Sequence, residues 1–241
     1  VAGVSAVKIF STYKHLGLYL DPEGWNTLFP LCREKELLLT IHAEDEEILE
    51  AAASKYPGDG LGPEMHPILR PSRAEAAAVL AAGLKAGETG MPLYIVHVSS
   101  KESLAVIERL RCEGVRVVAE TVPHYLYLTE EKLHGEEGYK FIMTPPLRSG
   151  GDREALRAAV HSGAVDIVAT DHCAFSAEQK RRARDCRLVP AGVPGSGEVA
   201  SLLYTLLLAG QSAQGSSPGA SSGGGEPEDS SRDERAAEEL V

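Results

Sequence analysis

Apolar residues along the chain fall into short β-branched runs, separated by longer stretches with helical spacing. The runs are residues 4–10 (VSAVKIF), 37–41 (LLLTI), 93–96 (LYIV), 115–119 (VRVVA) and 165–169 (VDIVA). Runs this short and this apolar suit strands buried on both faces. Between them, Ser72-Arg73-Ala74-Glu75 reads as a capping box opening an Ala-rich helix to about Lys85, with Gly87 as its stop. Ser99-Ser100-Lys101-Glu102 reads as a second one, opening a helix to about Arg111 with Gly114 after it. Residues 44–55 and 152–161 also have helical composition. Strands alternating with helices predict an α/β fold with a parallel sheet and helical crossovers.

Two sheet architectures compete. A doubly wound sheet would carry a Gly-rich phosphate turn, and none follows any of the five runs. A TIM-type (β/α)8 barrel instead gathers its functional residues at the C-terminal ends of several strands. Lys8, His42, His97 and Asp171 stand at or near the ends of four different runs. The reading is therefore an incomplete (β/α)8 barrel, with about five of its eight strands present. Residues 1–208 form this barrel part. Residues 209–235 (AGQSAQGSSPGASSGGGEPEDSSRDER) are a low-complexity Gly/Ser/acidic insertion or linker, and 236–241 are the possible start of a further helix.

Composition narrows the partners. The 241 residues are 43% hydrophobic, enough for a sizeable core. The net charge of -11 argues against nucleic acid or an anionic membrane. Four scattered cysteines form no CxxC, so a reducing cytoplasm is expected. No apolar run reaches the roughly 20 residues of a membrane span. The opening VAGVSAVKIF lacks a basic leader and reads as the inside of a domain, so a fragment or processed piece is expected.

The chemistry lies at the run ends. One histidine there is ordinarily structural. His42 and His97, at equivalent places on two strands, would converge on one crater and suit zinc or a similar divalent ion. Asp171 could cap a helix, or serve as a metal-bound carboxylate that takes a proton from water. Lys8 inside an apolar strand is costly to bury unpaired. It is either an ion-paired lysine or an amine that reacts with carbon dioxide to give a metal-bridging carbamate.

Taken together, KIFSTYK (8–14), HAE (42–44), HVSS (97–100), ETVPHYLYLT (120–129), MTPPLR (143–148), TDHCAF (170–175), QK (179–180) and VPAGVPG (189–195) resemble the dihydropyrimidinase/hydantoinase branch of the cyclic amidohydrolases. The resemblance runs in order from about residue 4 to 208. It implies an amidohydrolase barrel with two zinc ions and a lysine carbamate made from CO2. Carried onto this chain, Lys8 is the carbamylated bridge, and His42 and His97 bind one zinc. Asp171 binds the other and is the general base. Tyr13 polarises the substrate carbonyl, while Thr144 and Ala191 hold the ring largely through backbone groups. Thr144 replaces a serine and Ala191 an asparagine of the family pattern. The implied reaction is opening of a cyclic amide or ureide ring of dihydropyrimidine or hydantoin type by a metal-bound hydroxide. By the same resemblance the chain forms a homo-oligomer, a tetramer.

The family's His-x-His pair for the second metal has no counterpart here. It is expected upstream of Val1, so the chain by itself should hold half of the centre and have little activity. Allantoinase and dihydroorotase share the metal set and remain alternatives. So do a non-catalytic adaptor of the dihydropyrimidinase-like type and a truncated relic.

Overall fold

The computed structural model describes residues 3–197 and 199–214. Five strands form one parallel sheet in sequence order: β1 (Ala6–Phe10), β2 (Leu38–His42), β3 (Leu93–Ile95), β4 (Val117–Thr121) and β5 (Ile167–Val168). The helices are α1 (Pro22–Glu34), α2 (Glu46–Ala53), α3 (His66–Leu69), α4 (Ser72–Thr89), α5 (Lys101–Cys112), α6 (Pro123–Tyr127), α7 (Gly150–Ser162), α8 (Ala177–Arg181) and α9 (Val199–Gln214). Helix α9 carries the chain six residues past 208, into the stretch read as linker. Residues 215–235 of that stretch, and the helix expected at 236–241, lie outside the described residues.

Alternation along each strand decides what it faces. Ile9, Leu39, Ile41, Leu93, Ile95 and Ala119 point to the helix layer and are buried. They pack with Phe29 and Cys32 of α1, Val79 and Ala82 of α4, and Ile107 and Leu110 of α5 in the main core. The opposite set forms a row in register across four strands: Lys8, Thr40, Tyr94 and Val118. None of these four is fully buried. The expectation of strands buried on both faces therefore holds for the helix side only. The concave side is half open among the described residues.

Local chemistry sets the helix starts. Asp21 caps α1 by accepting from Gly24 N at 2.7 Å, with Pro22 in the first turn. Asp45 caps α2 through Ile48 N at 2.9 Å, and Ser149 caps α7. Two expected capping boxes are displaced. At α5 the cap is Ser100, not Ser99. At α4 the cap residue is Pro71 without a side-chain bond, so Ser72 is already helical. Glu75 instead turns inward, where it accepts from Ser99 N at 2.8 Å. Gly87 does not stop α4 either. The helix continues to Thr89 and ends on Gly90 in the left-handed conformation.

Gly83 lets α4 and α5 approach closely, because a Cβ there would stand 2.2 Å from Leu110 Cδ1. A second, smaller apolar cluster meets the main core at Phe141, which packs against both. It joins Leu69, Leu133, Ile142, Cys186 and Val189 beneath the loops that carry Thr144 and Ala191. Among the described residues no helix is long and apolar enough to cross a membrane.

Candidate active site

Three strand ends deliver a polar group to the same place. His42 is the last residue of β2 and lies in register with Phe10 at the end of β1. His97 follows β3 by two residues, and Asp171 follows β5 by three. Lys8, Tyr13, His42, His97, Thr144, Asp171 and Ala191 all line one cavity of about 310 Å³. Every residue singled out from the sequence as metal-binding, catalytic or substrate-holding is thus in its wall. A larger cavity of about 520 Å³ adjoins it and shares Tyr13, Thr144 and Ala191.

The two imidazoles face each other, with His42 Nδ1 at 2.9 Å from His97 Nε2. On its other side, His42 Nε2 stands 2.7 Å from Glu44 Oε2. A carboxylate accepts, so Nε2 carries the proton and Nδ1 presents a lone pair. His97 then donates from Nε2, which leaves its buried Nδ1 without a partner among the described residues. Burial lowers the pKa of both rings, and that of His97 well below the usual histidine value. Two neutral imidazoles with facing nitrogens are a donor set for a divalent metal. Around a tetrahedral zinc such nitrogens sit roughly 3.3 Å apart, so an ion needs only a slight widening of this pair. Among the described residues no three His, Cys, Asp or Glu side chains already form a closed ion cage.

Lys8 is open to the concave side, and its Nζ lies 5.5 Å from the centre of the Phe10 ring. Desolvation lowers its pKa, against the opposing pull of Asp171 and Glu120. Tyr13 packs its ring 5.1 Å from that of His42 and under the Arg70 guanidinium, 5.4 Å away. Its hydroxyl bonds to Thr144, and burial holds it protonated.

Three of the site residues have left-handed backbones although none is glycine: Tyr13 (φ 70°), His97 (φ 41°) and Asp171 (φ 43°). Among the described residues the only other case is Glu36. Strain of this kind collects where side chains must be aimed.

Sequence reasoning missed several supporting groups. Glu44 is fully buried and accepts from Arg70 Nε at 3.1 Å as well as meeting His42. Its carboxyl is held far below the usual range by Arg70 and His42, against the cost of burial. Glu46, Arg70 and Glu120 were not singled out either. His124, buried in the cavity wall, has Nε2 at 2.7 Å from Pro194 O. Glu44 stood inside the HAE motif, and Glu120 and His124 inside ETVPHYLYLT, so these three carried a local signal. For Glu46 and Arg70 no local signal exists.

No family profile matches the chain. Among individual proteins it is 35% identical over 207 residues to a D-hydantoinase of Ralstonia pickettii and 33% identical to one of Rhizobium radiobacter. Each alignment covers 84% of this chain and 45% of the relative. Among solved structures, a D-hydantoinase (dihydropyrimidinase) from Thermus sp. superposes with TM-score 0.81 at 31% identity, over 86% of this chain and 46% of that one. A dihydroorotase from Campylobacter jejuni shares the fold at TM-score 0.62 and 14% identity. The chain spans about half the length of the curated relatives it matches.

Proposed function

Since the chain belongs to the hydantoinase/dihydropyrimidinase family of cyclic amidohydrolases, we propose that the protein opens cyclic amide or ureide rings of the hydantoin or dihydropyrimidine type. The observation that carries this reading is the single cavity walled by Lys8, Tyr13, His42, His97, Thr144, Asp171 and Ala191.

In this reading His42 Nδ1 and His97 Nε2 would hold one zinc, and Glu44 keeps His42 in the tautomer that allows it. Lys8, which feels the charges of Asp171 and Glu120, would be carbamylated by CO2 and supply an anionic ligand, and Asp171 would serve the second metal. The metals, when bound, supply Lewis acidity at the ring carbonyl and lower the pKa of the attacking water. Asp171 takes the proton from that water and delivers it to the leaving ring nitrogen. Tyr13, kept protonated by burial, donates its hydroxyl hydrogen to the carbonyl oxygen as charge builds there. Backbone groups at Thr144 and Ala191 hold the ring amide, and the adjoining 520 Å³ cavity leaves room beyond Tyr13. The working form is a soluble homo-oligomer acting on a small molecule.

The test is a turnover panel with zinc-loaded full-length protein on hydantoin, dihydrouracil, allantoin and dihydroorotate. Ring opening is expected with one of the first two. Preference for allantoin or dihydroorotate would move the assignment within the superfamily. No turnover of any of the four by fully loaded protein would remove it.

A further inference from the structure

His97 and Tyr13 raise the same structural problem. Strand β3 ends at Ile95, and the next two neighbours keep backbone partners: Val96 N donates to Ile41 O at 3.2 Å and Val98 N to Glu120 O at 2.7 Å. Between them, the positive φ of His97 turns its N–H out of the ladder. That buried N–H is taken by a side chain, Glu120 Oε1, at 3.2 Å. The second oxygen of Glu120 accepts the Tyr94 hydroxyl, so the carboxylate is held from both sides. At the first strand the same device recurs. After Ser11 N bonds His42 O, the chain leaves the sheet and Tyr13 takes φ 70°. Its N–H reaches Glu46 Oε2 at 3.0 Å, the Thr12 hydroxyl reaches the same oxygen, and Lys14 N reaches Oε1 at 3.4 Å.

Neither glutamate is needed locally. Helix α2 is capped by Asp45, one residue before Glu46, and β4 is paired through its backbone. Neither lines the 310 Å³ cavity, and Glu46 reaches only the wall of the adjoining 520 Å³ one. We infer that Glu46 and Glu120 are positioning residues: carboxylate latches that hold the left-handed backbones of Tyr13 and His97, and so aim the phenol and the imidazole into the cavity. The inference rests on the functional reading above, because it takes His97 as a metal ligand and Tyr13 as a carbonyl-facing donor. It separates two duties. Glu120 acts through the ligand, and Glu46 acts through the donor.

The experiment measures zinc affinity by chelator competition, together with kcat and KM on the preferred ring, in the full-length protein and four variants. E120A should weaken zinc binding by about 10–100-fold, the usual effect of losing a group that orients a ligand. E120Q keeps an oxygen for His97 N–H and should recover most of that loss. E46A should leave zinc affinity within about twofold of wild type and lower kcat by on the order of tenfold to a hundredfold, as expected for a misaimed group. E46Q, with one acceptor oxygen, should recover part of it. A zinc-loaded, ring-opening wild type whose E46A and E120A variants keep both values overturns the latches and leaves the functional reading standing. The same holds if both variants lower zinc affinity and kcat alike, since that is general loosening. A wild type that binds no zinc and opens no ring removes the functional reading and the latches with it.

Discussion

Glu44→Ala should be among the most damaging single substitutions in this chain. Glu44 is fully buried, and it is the common partner of the His42 ring and the Arg70 guanidinium, whose side chain is only 16% exposed. Removing the carboxylate leaves a positive charge largely out of water with only the weaker pull of Glu46 to offset it, which costs about 3–5 kcal/mol. For a chain of this size that lowers the unfolding midpoint by roughly 10 °C. Chemical denaturation of E44A, E44Q and E44A/R70M gives the comparison. E44Q keeps the shape and one acceptor, so it should fall between wild type and E44A. The double variant removes the orphaned charge and should regain much of the loss. The pH dependence has a definite sign. Folding depresses the Glu44 pKa, so its contribution is present above the unfolded value of 4.5 and fades as pH falls below it. The gap between wild type and E44A should therefore shrink in acid. An E44A protein within about 1 kcal/mol of wild type at pH 7, or a double variant no more stable than E44A, would refute the reasoning.

Further outcomes follow from single residues. Burial pushes the His66 pKa down from 6.5 to about 4, with Nε2 bonded to Met143 O at 2.9 Å. Below pH 6.5 the unfolded chain takes a proton that the folded chain refuses, so stability should drop between 6.5 and about 4 and then level. The drop is at most on the order of 3 kcal/mol, and H66N should flatten that stretch of the stability–pH curve. Gly192 has φ 154°, and a Cβ there would meet Cys173 O at 2.5 Å. G192A should displace the segment next to Asp171 and lower kcat by tenfold or more (an estimate of the order expected for a small misplacement), and unchanged kcat would count against the close contact. Gly83→Ala should destabilise by about 1–3 kcal/mol through overpacking against Leu110, read by thermal unfolding. Stripping divalent ions from the full-length protein with a chelator should abolish ring opening, and zinc should restore it. Activity that survives complete stripping would exclude His42 and His97 from the role proposed for them.

The strands were legible because each is a compact apolar run, and the runs match the observed elements to within a few residues. His42, His97 and Asp171 were legible for a related reason, since they end such runs and parallel strands bring their ends together. The partners of the supporting groups were not. Glu75 has the spacing of a cap but is drawn inward by Ser99, which lies beyond a whole helix in the chain. Glu46 and Glu120 meet the N–H groups of Tyr13 and His97 because those residues adopt left-handed backbones, which no residue preference announces. Gly87 looks like a helix stop, but the packing of α4 on α5 carries the helix through it. What the pattern conveyed was local periodicity. What it withheld were pairings made across 20 residues or more.

The small cluster of Leu69, Leu133, Ile142, Cys186 and Val189 bears on how the cavity wall tolerates change. The loops of Thr144 and Ala191 are anchored in it through Ile142 and Val189 and in the main core through Met143, Leu147 and Val193. Substitutions at Leu69, Leu133 or Cys186 load the small cluster and leave the layer of strands and helices in place, so they reach these loops from one side only. One flank of the cavity wall can therefore be refitted while the other keeps its footing in the main core.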